Sequence, residues 1–169
     1  MGEGSIDFQV ANAESFSELD SQNQKIIDDG IHQQEILKEL EEELKSFNKT
    51  MKNIEEEGDY YFTGNRMVIQ YKEHSQSVNT LSNERSLKEV AMKLKKKDPD
   101  DILIKPVKYS NKELVKMQND FKKYANQLDI NEKYRLELNE ETNQLDLKII
   151  SENLLLWLFN NFLTFKSKI

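Results

Sequence analysis

Apolar residues recur at spacings of three and four through the first third of the chain, and this rhythm later gives way to strict alternation. Leu37, Leu40, Leu44, Phe47, Met51 and Ile54 fall at the a and d positions of one heptad register, the placement expected of a helix with a single apolar seam. Extended backwards, the register passes through Phe16, Leu19, Asn23, Ile26, Gly30 and Gln33, where the seam is interrupted by polar residues and a glycine. The pattern predicts one helix from about Ala13 to Glu57, ended by Gly58. It is weakened or kinked near Gly30, because glycine costs about 1 kcal/mol in a helix interior. A helix of this kind is marginal in water by itself, so its apolar stripe calls for a partner, either another chain or the helices of its own domain.

From Asp59 the period changes. Tyr60-Tyr61-Phe62, a turn at Thr63-Gly64-Asn65 and the run Arg66 to Tyr71 predict a β-hairpin. A helix follows, with Leu87, Val90, Ala91 and Leu94 on its apolar face. It is capped at Ser82 or Asn83, closed by Lys95-Lys96-Lys97 at the negative end of its dipole and stopped at Asp98-Pro99. Ile102 to Tyr109 suits a strand that Pro106 confines to an edge or a bulge. Ser110 with Glu113 forms a capping box for a helix carrying Leu114, Met117, Phe121, Tyr124 and Leu128.

Tyr134, Leu136 and Leu138, and across the turn Leu145, Leu147 and Ile149, each alternate with polar residues, as a half-buried antiparallel hairpin requires. Ser151 caps a last helix, apolar on almost every side, that carries Leu154, Trp157, Leu158, Phe162 and Phe165. The order hairpin, helix, strand, helix, hairpin, helix is that of a small α+β head. The expected organisation is a disordered N-terminus over 1–12, a coiled-coil-like arm over 13–58 and a head over 59–169.

Composition sharpens this picture. Only 37% of residues are hydrophobic while 33% are charged, the balance of an elongated or assembly-dependent chain. The net charge of −7 is unevenly spread: residues 1–59 hold 5 basic and 16 acidic side chains, whereas residues 85–123 hold 12 basic and 6 acidic. In a parallel homodimer of the arm, Glu43 would face Asn48 and Thr50 would face Glu55, so no attractive pair forms across the seam. A more basic partner is therefore slightly favoured over self-pairing.

Little in the chain points to catalysis. Cysteine is absent, which removes disulfides, thiolate metal sites and cysteine nucleophiles. His32 and His74 are the only histidines, the five glycines form no phosphate loop, and no metal or cofactor motif is present. The many carboxylates lie in solvated runs, where nothing raises a pKa for acid catalysis. Met1 to Val10 resembles neither a secretory nor a mitochondrial leader, and the apolar run Leu154 to Phe159 is far below the ~18–20 residues of a membrane span. An intracellular location, cytoplasm or nucleus, is the expectation, and a membrane partner is not.

One basic cluster stands out. Lys93, Lys95, Lys96, Lys97, Lys105 and Lys108 concentrate positive charge as phosphate-backbone binding requires. The run Ile104-Lys105, then Lys108, then Asn111-Lys112, within the stretch Gly64 to Lys148, resembles the head of phage Gam-type proteins. That resemblance implies binding of DNA ends by a coiled-coil dimer. The pattern is short, and the chain departs from that family in lacking its longer antiparallel arm and in ending on an apolar helix, so no family is identified from it. In architecture alone, an arm joined to a small α+β head also looks like subunits of kinetochore complexes.

The function expected from these features is that of a non-catalytic interaction subunit or adaptor, assembling through the seam residues Leu37 to Ile54 and the C-terminal apolar helix. DNA or RNA binding through residues 85–123, with dimerisation by the arm, is the alternative. On the seam reading, Leu40→Glu combined with Leu44→Glu removes a partner and leaves the head folded.

Overall fold

The computed structural model describes residues 9–73 and 86–156, with side chains from Ser17 onward. The first helix, α1 (Gln9–Ser46), begins earlier than Ala13 and runs through Gly30 as regular helix. It does not continue to Glu57. Asn48 takes a left-handed conformation with φ 57°, and the N–H groups of Phe47 and Lys49 both bond back to the Leu44 carbonyl, at 3.0 and 2.8 Å. This is an ordinary way of closing a helix on an asparagine. Thr50 then opens a second helix, α2 (Met51–Glu57), with its backbone N–H on Asn53 Oδ1 at 2.8 Å. The heptad rhythm survives the break because the turn brings Ile54 back against the same core as Leu40 and Leu44.

Gly58 ends α2 and starts the hairpin of β1 (Gly58–Thr63) and β2 (Arg66–Lys72), which turns at Gly64 with φ 61°. Strand β3 (Ile102–Val107) adds to β2 in parallel, so the order is β1-β2-β3 and Pro106 lies on an edge, opposite Tyr71. Helix α3 (Leu87–Lys97) lies between β2 and β3 in sequence. Its N-cap is Ser86; the expected cap residues Ser82 and Asn83 lie outside the described residues, as does His74.

Helix α4 (Asn111–Gln127) starts with the predicted capping box, Ser110 Oγ accepting from the Glu113 N–H and Glu113 Oε2 accepting from the Ser110 N–H. A separate hairpin follows, β4 (Tyr134–Asn139) and β5 (Gln144–Ile149), and then a helical segment over 152–156. The architecture is α+β: a long N-terminal helix followed by a small head of helices and strands.

Alternation along the sheet decides what each face meets. Met67, Ile69, Ile102, Tyr60 and Phe62 pack with Leu40, Leu44, Ile54 and the apolar face of α3 into the main core. The other face, with Asp59 and Gln70, is covered by the start of α4 and the tip of the second hairpin. There Gln70 Nε2 donates to the Glu140 carbonyl at 2.7 Å, and Asn143 holds both the N–H and the carbonyl of Tyr109. A smaller core joins Ala125, Ile130 and Leu154 to Phe121, Tyr134 and Ile149.

Candidate partner-binding helix

The six residues of the heptad seam all belong to this chain's own core. Leu40 and Leu44 are fully buried and Ile54 nearly so, while Leu37, Phe47 and Met51 pack against them half-buried. The seam therefore finds its partner in α3 and the sheet. Of the C-terminal interface residues, Leu154 is buried in the smaller core, and Trp157, Leu158, Phe162 and Phe165 lie outside the described residues.

Charge fastens the acidic half of the arm to the basic half of the head. Glu43, only 5% exposed, receives Lys93 Nζ at 2.5 Å, Lys97 Nζ at 3.8 Å and the Ser46 hydroxyl at 3.1 Å. Burial pushes the Glu43 carboxyl up, but the hydrogen bonds from Lys93 and Ser46 and the charges of both lysines outweigh it and hold the carboxyl below its usual range. Glu57 bridges Lys49 Nζ at 2.6 Å and accepts the Leu87 N–H at 2.9 Å. A carboxylate from α2 thus satisfies an open N–H at the start of α3, where the helix dipole favours negative charge.

These contacts consume much of the basic cluster. Besides Lys93 and Lys97, Lys95 donates to the Ile102 carbonyl at 3.3 Å, Lys105 donates to the Glu141 carbonyl, and Lys108 lies 5.1 Å from the Tyr109 ring centre. Lys96 has no partner among the described residues. Phosphate binding draws on unneutralised charge, and Glu43 already sits between two of the six lysines.

Among the described residues, the head leaves the stretch of α1 from Ser17 to Asp28 uncovered. Every residue from Ser17 to Asp28 is exposed whichever way it points, a stretch of about 18 Å of helix. The first ties to the head come just after it: His32 Nε2 lies 3.0 Å from Asp101 Oδ2, and Gln33 Nε2 donates to the Gly64 carbonyl at 2.8 Å. On the free stretch Leu19 is 52% exposed, Ile26 69%, Ile27 54% and Ile31 56%.

At about 100° per residue these four side chains form one stripe some 140° wide, turned by roughly 120° from the face that meets the head. Heptad reading caught Leu19 and Ile26 but missed Ile27 and Ile31, which lie off the register that Leu37 to Ile54 imposes. The clustering of Ile26, Ile27 and Ile31 around a glycine is the signal that could have exposed a second stripe.

One buried polar cluster lies apart from that helix. Asp59, 6% exposed, accepts from Asn111 Nδ2 at 2.9 Å and from the Tyr60 N–H at 2.8 Å, and faces Gln70 across the β1–β2 ladder. Gln70 is fully buried and its Oε1 has no hydrogen-bond partner. Burial pushes the Asp59 carboxyl up despite its two hydrogen bonds, with the Glu55 charge adding to the rise. Glu140 is raised by burial and by Asp59.

A carboxyl whose pKa rises on folding binds its proton more tightly in the native state, so stability falls as pH rises through that window. Asp59→Asn is therefore expected to gain stability relative to wild type in urea unfolding as pH rises from the carboxylate range to pH 7. That gain should be lost as pH falls below the ordinary carboxylate value. A difference that stays constant down to that pH contradicts this account.

Among the described residues no group of three His, Asp or Glu side chains is placed to hold a metal ion, and no helix is long and apolar enough to cross a membrane. No protein-family model matches the chain, and no curated protein or solved structure matches it either.

Proposed function

We propose that this chain is a non-catalytic interaction subunit or adaptor whose α1 helix, between Ser17 and Ile31, carries a partner protein. The observation that carries this reading is the row Leu19, Ile26, Ile27 and Ile31, more than half exposed on the part of α1 that precedes its first described ties to the head at His32 and Gln33. An isolated helix this short is marginal in water, and its stability normally comes from packing an apolar face. Contiguous exposed apolar side chains on such an element mark a protein contact. The seam Leu37 to Ile54 has a structural duty in this scheme: it anchors the arm to the head so that the free stretch is held out as a rigid extension.

The test uses Ile26→Glu combined with Ile27→Glu in the full chain. Affinity capture from native extract is expected to lose its specific protein by at least about tenfold, equivalent to 1.4 kcal/mol of binding. The unfolding midpoint should move by no more than the shift that surface substitutions produce, about ±0.5 kcal/mol. Undiminished capture sinks the reading.

A further inference from the structure

The free stretch of α1 has a charge layout and a glycine that together describe what it takes. On the helix, Asp28 lies roughly 60° beyond the Ile31 edge of the stripe and Asp29 roughly 60° beyond the Ile26 edge, while Asp20 falls between Ile27 and Ile31 and Glu18 lies further round, beside Lys25. Lys25, the one base among residues 17–31, falls on the opposite side of the helix from the stripe. Both flanks of the apolar row are thus acidic. A second copy of this chain would bring acid against acid, which costs stability in a helix pair. A helix with basic flanks would gain attraction on both edges at once.

Gly30 supplies an independent indication. It lies within the stripe, between the directions of Ile26 and Ile27. A Cβ built there meets nothing within 4 Å, so no contact among the described residues requires the missing side chain. The helix accepts a penalty of about 1 kcal/mol against alanine without any local return. A glycine on a contact face lets a crossing backbone come closer than any side chain permits.

We infer that the occupant of this stripe is a basic amphipathic helix of another protein, crossing α1 at Gly30 with its apolar face on Ile26, Ile27 and Ile31. This rests on the reading of α1 as a partner-binding arm and specifies the partner's chemistry. Leucine-faced helix pairing fixes affinity through the buried row, whereas the acidic flanks select the partner's sign.

Two synthetic helix-forming peptides of about six turns, alike in their leucine face and differing only in lysine or glutamate flanks, serve as probes for fluorescence anisotropy. The lysine-flanked peptide is expected to bind the full chain at least about tenfold more tightly than the glutamate-flanked one, with the difference shrinking at high salt. Ile26→Asp with Ile27→Asp should lose the lysine-flanked peptide even though the arm becomes more acidic, which separates helix docking from simple ion attraction. Gly30→Leu should weaken binding while leaving the head's unfolding transition in place. Reversing the acidic charge of this stretch with Glu18→Lys, Asp20→Lys, Asp28→Lys and Asp29→Lys should transfer the preference to the glutamate-flanked peptide.

Equal binding of the two peptides overturns the inference, as do full binding by the aspartate variant and a sedimenting mass of two chains for the protein alone. If neither peptide binds but Ile26→Glu with Ile27→Glu still loses its captured protein, the basic-helix partner falls and the arm reading stands. If that variant keeps its captured protein as well, both fall.

Discussion

Replacing Leu40 and Leu44 together by glutamate is expected to unfold the head. Both side chains are completely buried, in one core with Met67, Ile69, Leu87, Val90, Leu94 and Ile102. A carboxylate placed there without a partner costs several kcal/mol, and each substitution also removes the packing of a buried leucine. The buried acid beside Leu44 in sequence, Glu43, is surrounded by two lysines and a hydroxyl. Single Leu40→Ala should cost about 3–4 kcal/mol in urea unfolding, a large share of the ~5–15 kcal/mol that holds a domain together. The double glutamate variant should then lose its cooperative transition in circular dichroism. A variant that keeps its head transition while shedding a partner would restore the seam as an intermolecular surface and remove it from the core.

Gly58→Ala is the second substitution with a large expected effect, although it adds one methyl group. A Cβ at Gly58 would stand 1.9 Å from the carbonyl oxygen of Gln70, 2.8 Å from its carbonyl carbon and 3.0 Å from Leu87 Cδ2. The first two atoms are backbone of the neighbouring strand, so relief requires β1 to move away from β2, where Gly58 pairs with Tyr71. The same residue's N–H closes α2 on the Ile54 carbonyl, and Glu57 of α2 accepts the Leu87 N–H at the start of α3 while pairing with Lys49. Overpacking of this kind costs about 3 kcal/mol or more, to be read as a lowered denaturation midpoint at unchanged slope. A loss below about 1 kcal/mol would mean that the strands can part there without consequence.

The two substitutions act at opposite ends of one physical arrangement. Glu43, Glu57, Leu40, Leu44 and Ile54 clamp the lower arm to the head, and the stretch of α1 from Ser17 to Asp28 extends from that clamp in exposed positions. A lever held by this many apolar and charge-assisted contacts positions Ile26, Ile27 and Ile31 at a fixed distance and angle from the sheet. In the proposed role, a helix presented already folded would lower the ordering cost of binding.

Local rules determined much of this fold from the sequence alone. Period-two alternation in Tyr134 to Ile149 placed the second hairpin, the Ser110–Glu113 box placed the start of α4, and Pro106 placed β3 on an edge. Each depends on atoms within a few residues of one another, so the sequence contains the whole cause. The heptad from Leu37 to Ile54 likewise announced an apolar stripe in need of cover. Periodicity states that a stripe is buried and is silent about what buries it. The tertiary structure decided that the cover is α3 and the sheet, because Asn48 breaks the helix and returns Ile54 to the same core. It also assigned Lys93 and Lys97 to Glu43, an encounter between residues far apart in the chain. It was the tertiary structure too that left Ile26, Ile27 and Ile31 exposed, since the described residues of the head meet α1 only from His32 and Gln33 onward. Where an element ends against its neighbours is a property of the assembled core, and no window along the chain contains it.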